Sequence, residues 1–450
     1  MNSTLFGGIV DKFFRLVIGK ITEKFNGKAT EQALLHKTML VEEYSADLTW
    51  GSTELNHSIV AADVVSLESS LPLKRRGKIS NASGSLPKLG IKYRKGEKAI
   101  SDINVMIARG TDEATVASKV FDDATKVIKA IDIRKEIMFL QALSTGATLV
   151  SDADNDGTGV RVEFGYKAEN TFHAIVAGWG KATATPQDDV QQLFDKAQED
   201  GNAINHIYIS KKYFNFFRKS EQGRMLAASF LNQVVTNAAL IPVPSRAVFL
   251  EALADEYGAT FHIVDAAFKY QLPNGQTESV RPWEEANIVG VPAEQVGRLV
   301  YGTLAEETNP VAGVSYQKSG SHILVSKYSK TDPLEEFTAG QALVIPVIDG
   351  AESIYLLHAD AAETAELTIE PTEVSFTATA QTKSVDVHYD GDTDDLSATS
   401  NADWATVTLA GDKVKIKVAA NEGEERTANI TVTDGKASVV VAVTQKVAAN

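Results

Sequence analysis

The chain has 450 residues, no cysteine and a formal net charge of -15. Without cysteine there are no disulfides, thiolate nucleophiles, iron–sulfur clusters or thiolate zinc sites, and the acidic balance argues against a protein that coats nucleic acid with a positive face. With 44% hydrophobic and 23% charged residues, it reads as globular and long enough for two or three domains with real cores.

The most apolar early stretch, residues 7–21, is interrupted by Asp11, Lys12, Arg15 and Lys20 and has no small-residue cleavage site after it. It therefore predicts neither a membrane span nor a signal peptide. Phe6, Val10, Phe13, Val17, Ile21 and Phe25 recur every three or four residues, so an amphipathic helix is expected. Docking on a protein surface is the plainer use of that face. The basic opposite face leaves membrane-surface binding as a rival.

Residues 40–110 mix short strand-like runs with turns. Within them, residues 71–100 carry nine bases against the single acid Glu97. The bases include Lys74, Arg75, Arg76, Lys78, Lys92, Arg94 and Lys95, which are the candidate intersubunit contacts. Gly, Ser, Asn and Pro break the run, so it predicts an extended loop or long hairpin lying on something acidic. An acidic protein neighbour fits better than nucleic acid, because Tyr93 is the one ring available for stacking. A merely solvated loop is the bland alternative.

A single helix is expected next, over residues 112–145, about 50 Å long at 1.5 Å per residue. Thr111 can cap it, Asp112 and Glu113 suit its N-terminal dipole, and Gly146 can end it. Its acids Asp122, Asp123, Asp132 and Glu136 are candidate partners for the basic loop. From 147 to 360, strand and helix patterns alternate without a regular βαβ rhythm, which predicts an α+β domain. Strands are expected at 160–164, 207–210 and 261–264, helices at 188–199 and 213–218, and a turn at Pro273–Gly275.

One motif has metal-ligand spacing. Asp152, Asp154 and Asp156, followed by Gly157 and Glu163, fit a calcium loop. A strand pattern follows where an EF-hand needs a helix, so a polar turn is the competing reading. No catalytic constellation, phosphate loop or paired histidine ligands occur. His206 and His262 sit in apolar strand-like runs, as buried hydrogen-bonded histidines do. Neither an enzyme nor a cofactor is therefore expected.

From Glu363 onward there are fifteen acids against seven bases, and apolar residues alternate with period two. Short strands between turns such as Gly411-Asp412 and Asp434-Gly435 predict a separate sandwich of about seven strands. Trp404 could stack on a sugar, although a lone tryptophan in so small a sandwich is more often core.

The ordered residues resemble a family. RKEIMFLQALSTG (Arg134–Gly146) and the strand VRVEFGY after it are similar to the lambda-type phage major capsid proteins. So, in the same order, are Trp179 with Thr185-Pro186 and Asp188-Asp189, HIYISKKYFNFFRKS, the turn at Tyr270–Gly275, Ile288-Val289-Gly290 and Gly297–Gly302. Across about residues 35–358 the resemblance implies the Hong Kong 97-type capsid fold. Its parts would be an N-terminal arm (1–35), a capsid domain (36–362) with an extended loop near 71–105 and a spine helix near 112–145, and peripheral and axial subdomains. SNADWATVT, the N-x-x-x-x-R-x-A-x-I-x-V run and the final V-T-Q resemble a BACON domain, a carbohydrate-binding immunoglobulin-like module of Bacteroidetes, over 363–450.

Together these resemblances imply the major capsid protein of a tailed bacteriophage. It would be assembled in the host cytoplasm as hexamers and pentamers, with portal, scaffold or decoration partners. Packaged DNA would be enclosed without sequence-specific contacts, no membrane would be involved, and the C-terminal domain would be displayed outside, where it could meet glycans. The alternative is a glycan-binding surface protein of a Bacteroidetes-type bacterium, which would need an export signal or a lipid-anchoring cysteine.

Overall fold

The computed structural model describes residues 4–27, 34–51, 83–150, 160–233, 241–271, 275–361, 367–389, 396–433 and 438–447. The chain divides into two compact units, Met1–Ala361 and Ala362–Asn450.

The larger unit is organised by the helix Asp122–Thr145, here called the spine helix. Val127, Ile128, Ile131, Met138, Phe139 and Leu140 are buried along it. Gly146 ends it with a φ of 73°, and a Cβ there would lie 2.8 Å from the Tyr166 ring. Glycine suits that position both for its backbone freedom and for the close approach.

The single helix expected over 112–145 is in fact two, Glu113–Val120 and Asp122–Thr145. Phe121 leaves helical geometry with φ -101° and ψ 10°, and its ring stacks on Phe14 at 5.5 Å and 7°. Burying that ring outweighs one interrupted turn. The cap is Asp112, not Thr111, its side chain accepting from the Thr115 amide. A second correction falls on the expected loop near 71–105. Glu97–Ala108 is a helix with Ile100 and Ile103 buried, and residues 71–82 lie outside the described residues.

The N-terminal helix Gly7–Gly27 packs against the strand Ser315–Ser319 and the helix Glu113–Val120. Phe6, Val10, Phe14 and Ile18 are buried, with Phe13, Val17 and Ile21 half-buried beside them. The buried stripe thus follows the expected face at Phe6 and Val10 and then shifts by one position, to Phe14 and Ile18 in place of Phe13 and Val17, and its own chain covers it. The Phe25 side chain lies outside the description.

Two sheets complete this unit. The first has the strand order Leu40–Tyr44, Gly297–Gly302, Leu334–Ile348, Ile323–Thr331, Ser315–Ser319. Its long strand Leu334–Ile348 takes Ile323–Thr331 on one edge. On the other edge it takes Lys88–Lys95 and then Gly297–Gly302 in succession. The spine helix lies so close to this strand that a Cβ on Gly340 would collide with Val127. The second sheet has the order Thr171–Ala174, Tyr355–Ala361, Asn287–Val291, His206–Ser210, Thr260–Val264. Trp179, Leu193, Phe214, Phe217 and Phe249 form a core against it. Phe268–Gln271 and Thr277–Val280 pair antiparallel; Pro273 and Asn274 of the expected turn lie outside the described residues.

The smaller unit shows eight strands among the described residues, in two four-stranded sheets. One has the order Leu367–Glu370, Gln381–Tyr389, Lys413–Val418, Ala405–Ala410, and the other Glu373–Phe376, Ser438–Gln445, Arg426–Thr433, Ser397–Ser400. Val385, Val414, Ile416, Ile430, Val432 and Val441, all at alternate positions, fill the space between them.

Candidate assembly surface

The basic run enters the fold as the strand Lys88–Lys95, paired residue by residue with Glu336–Leu343. Lys92, Arg94 and Lys95 lie on it, whereas Lys74, Arg75, Arg76 and Lys78 lie outside the described residues. Alternation sends Lys95 toward the spine helix, where its ammonium is 2.5 Å from the Asp123 carboxylate. Arg94, on the other face, reaches Glu335 at 2.7 Å while staying largely exposed. The Lys92 ammonium sits 5.8 Å from the centre of the Phe337 ring. Two of the three described candidates therefore have ion-pair partners within their own chain.

The spine-helix acids are also engaged internally. Asp123 is shared by Lys95 and Lys126. Burial would raise its pKa, but the two cations hold it below the usual carboxylate range. Asp132 meets Lys135 at 2.6 Å and Lys37 at 3.0 Å; those charges likewise outweigh its burial and keep it ionised. Glu136 accepts from the Leu35 and His36 amides, each at 2.9 Å, and from His36 Nδ1 at 2.6 Å. Of the four acids expected to meet a neighbour's loop, Asp123, Asp132 and Glu136 are thus buried with partners in their own chain. Asp122 remains more than half exposed and pairs with Lys126.

Asp132 and Glu136 are one helical turn apart, so together they clamp residues 35–37 to the spine helix. Behind them, Lys135 Nζ donates to His322 Nε2 at 2.8 Å. Burial first, then the Lys135 charge, pushes the His322 pKa down to about 3. Burial also lowers that of His36. The His322 imidazole is neutral, since Nε2 must accept from the Lys135 ammonium. Nearby, Lys327 and Glu336 form a fully buried ion pair at 3.3 Å. These groups were not singled out by motif spacing. Their signal was charge at 132, 135 and 136 on a helix line otherwise occupied by Ile128, Ile131 and Phe139.

An open groove of about 1880 Å³ lies between the strand Lys88–Lys95, the spine helix and the hairpins around 147–163 and 268–280. Its described walls are basic, with Lys92, Lys126, Lys129, Arg134, Arg161 and Lys269 among them against Glu163 and Glu306. Such a wall suits an acidic or hydroxyl-rich segment of a neighbouring chain.

Asp152, Asp154 and Asp156 lie outside the described residues, while Glu163 bonds Arg161 at 2.6 Å. Among the described residues no three His, Asp or Glu side chains gather as a metal site. His206 and His262 contact each other at 3.1 Å across neighbouring strands. The Arg426 guanidinium lies over the Trp404 ring at 4.4 Å. That guanidinium is itself fixed by Gln445 and the carbonyls of Ala419 and Ala420, so one face of Trp404 is already occupied.

Comparison with known proteins adds the following. No curated protein matches the sequence. A capsid protein of an Escherichia coli CFT073 prophage is 13% identical, covering 80% of this chain and 99% of its own, with a TM-score of 0.48. A phage-related protein from Bordetella bronchiseptica RB50 is 12% identical, covering 76% and 96%, with a TM-score of 0.42. A Bacteroides ovatus xyloglucanase is 25% identical over 19% of each chain, with a TM-score of 0.17. The BACON model, described as a binding domain, matches residues 393–446. The model for phage major capsid protein E matches residues 20–359, which is nearly all of the larger unit. With that match over most of its length, the chain belongs to the phage major capsid protein E family.

Proposed function

We propose that this capsid protein closes into an icosahedral head of hexamers and pentamers around packaged DNA, with its C-terminal unit on the outer face. The family match across residues 20–359 carries the reading. Closed assembly from one chain needs surfaces that are complementary between copies, and the basic groove and basic run are the candidates. Arg94 and Lys95 are engaged within the chain, so Lys74, Arg75, Arg76, Lys78 and Lys92 are the residues proposed to reach a neighbouring subunit. The wall would enclose DNA by geometry, without reading its sequence. Portal, scaffold and decoration proteins would complete the head, which would be assembled in the host cytoplasm. The chain has a structural role and no enzymatic one.

Outward placement of the C-terminal unit follows from its charge. Fifteen acids against seven bases would repel packaged phosphates inside the head, whereas outside they favour solubility.

Negative-stain imaging and sedimentation of the expressed protein test the assembly, with closed shells as the expected result. Only monomers or dimers, in the presence of the other head proteins, would overturn it. Replacing Lys74, Arg75 and Arg76 by Glu should block assembly and leave the subunit folded by circular dichroism. Normal particles from that variant would show that the charge of the run is incidental.

A further inference from the structure

In the C-terminal unit, three of the seven bases lie on one strand. Lys413, Lys415 and Lys417 alternate with Val414, Ile416 and Val418, which are buried, so all three lysines face outward. The register fixes their neighbours. Lys413 lies opposite Asp386 on one side and Ala410 on the other, and it pairs with that carboxylate at 2.5 Å. Lys415 lies between Ser384 and Thr408, and Lys417 between Thr382 and Thr406. Two rungs therefore repeat the order hydroxyl, ammonium, hydroxyl, about 7 Å apart along the strand and about 10 Å wide across three strands.

Neither Lys415 nor Lys417 forms an ion pair with a described residue. Edge protection does not explain them, because this strand is internal to its sheet, between Gln381–Tyr389 and Ala405–Ala410. Solubility does not either, since the unit is already strongly acidic. The outward positions of the other sheet include Thr427, Asn429, Thr431, Val440 and Ala442 on its two long strands and the acid Glu373 on the strand Glu373–Phe376; none of these is a lysine or arginine, so the two faces of the sandwich differ.

We propose that the Lys415–Lys417 face binds an anionic polysaccharide, a sugar chain bearing sulfate or carboxylate groups. The two free ammonium groups would take the anions, and the flanking Ser and Thr hydroxyls would take the sugar hydroxyls. Nucleic acid fits less well. The outward positions of this sheet carry no Phe, Tyr or Trp on which bases could stack. Asp386 and Glu370, side by side at the far end, confine the positive charge to the two rungs. On intact particles this use rests on outward display of the unit.

The test measures binding of full-length protein, both as particles and as dissociated subunits, to immobilised chondroitin sulfate. Desulfated chondroitin and duplex DNA are the comparison surfaces. The expected result is binding to chondroitin sulfate at least tenfold tighter than to either. Lys415→Gln/Lys417→Gln should lose at least tenfold of it. Lys383→Gln, whose ammonium instead contacts the Ser375 carbonyl at 2.6 Å, should change it less than twofold. Equal binding of DNA, unchanged binding by the double variant, or no binding by subunits would each overturn the proposal. Binding by subunits but not by particles would support the face and overturn the outward display.

Discussion

At the scale of single residues, the fold of the capsid unit depends on buried charges that have partners. His36 and His322 are buried in the folded chain and face Glu136, Lys135, Asp132, Lys37 and Glu42. Their folded pKa values are below the usual 6.5, so the unfolded chain binds protons first as pH falls. Stability is therefore full above about pH 6.5 and declines below it, for His322 down to about pH 3. Each histidine contributes a slope of at most about 1.4 kcal/mol per pH unit. Urea denaturation of the unassembled subunit between pH 7.5 and 5 checks this, and His322→Gln should flatten the curve. A second prediction concerns Lys327 and Glu336. Lys327→Met alone leaves a buried carboxylate unpaired and should cost about 3–5 kcal/mol. Lys327→Met with Glu336→Leu should recover part of that loss, although the Leu5 amide then loses its acceptor. Equal stability of the single and double variants would contradict the pairing argument. Motif spacing could not show these groups as partners, because His36 and Glu136 are a hundred positions apart.

At the scale of elements, the fit of the spine helix to the long strand turns on Gly340. A side chain there meets Val127 and Ile131, so Gly340→Ala should destabilise the subunit by about 1–3 kcal/mol through overpacking. Val127→Ala in the same background should restore part of the loss, as thermal denaturation would show. The strands of the C-terminal unit were legible because one face is core and the other is water, which writes the alternation into the sequence. The strand Leu334–Ile348 was not legible, since it is buried on both faces over most of its length and shows no such period. The break at Phe121 was hidden for another reason. It depends on Phe14, a distant ring that no local pattern reveals. The helix Glu97–Ala108 had a readable signal in Ile100, Ile103 and Met106, which the surrounding bases and glycines obscured.

At the scale of the whole molecule, two compact units with separate hydrophobic clusters should behave as separable parts. Chain truncated after Ala361 is expected to assemble still. Calorimetry of the full subunit should show two transitions, of which the truncated form retains one. Protease should release the C-terminal unit from intact particles by cutting between the two compact units. Loss of assembly on truncation, or protection of the unit from protease, would contradict its dispensable outward placement.

The pairing of Thr49–Gly51 with Ser83–Ser85 has a mechanical consequence. The chain between residues 51 and 83 leaves and returns through this short stem, and each side continues into the main sheet, through Leu40–Tyr44 and Lys88–Lys95. Tension reaching the start of Lys88–Lys95 in line with the strand would pull it along its own axis. Its eight paired positions with Glu336–Leu343 would then be loaded together in shear instead of peeling apart one at a time. A subunit gripped there would resist force with a whole ladder of paired positions at once.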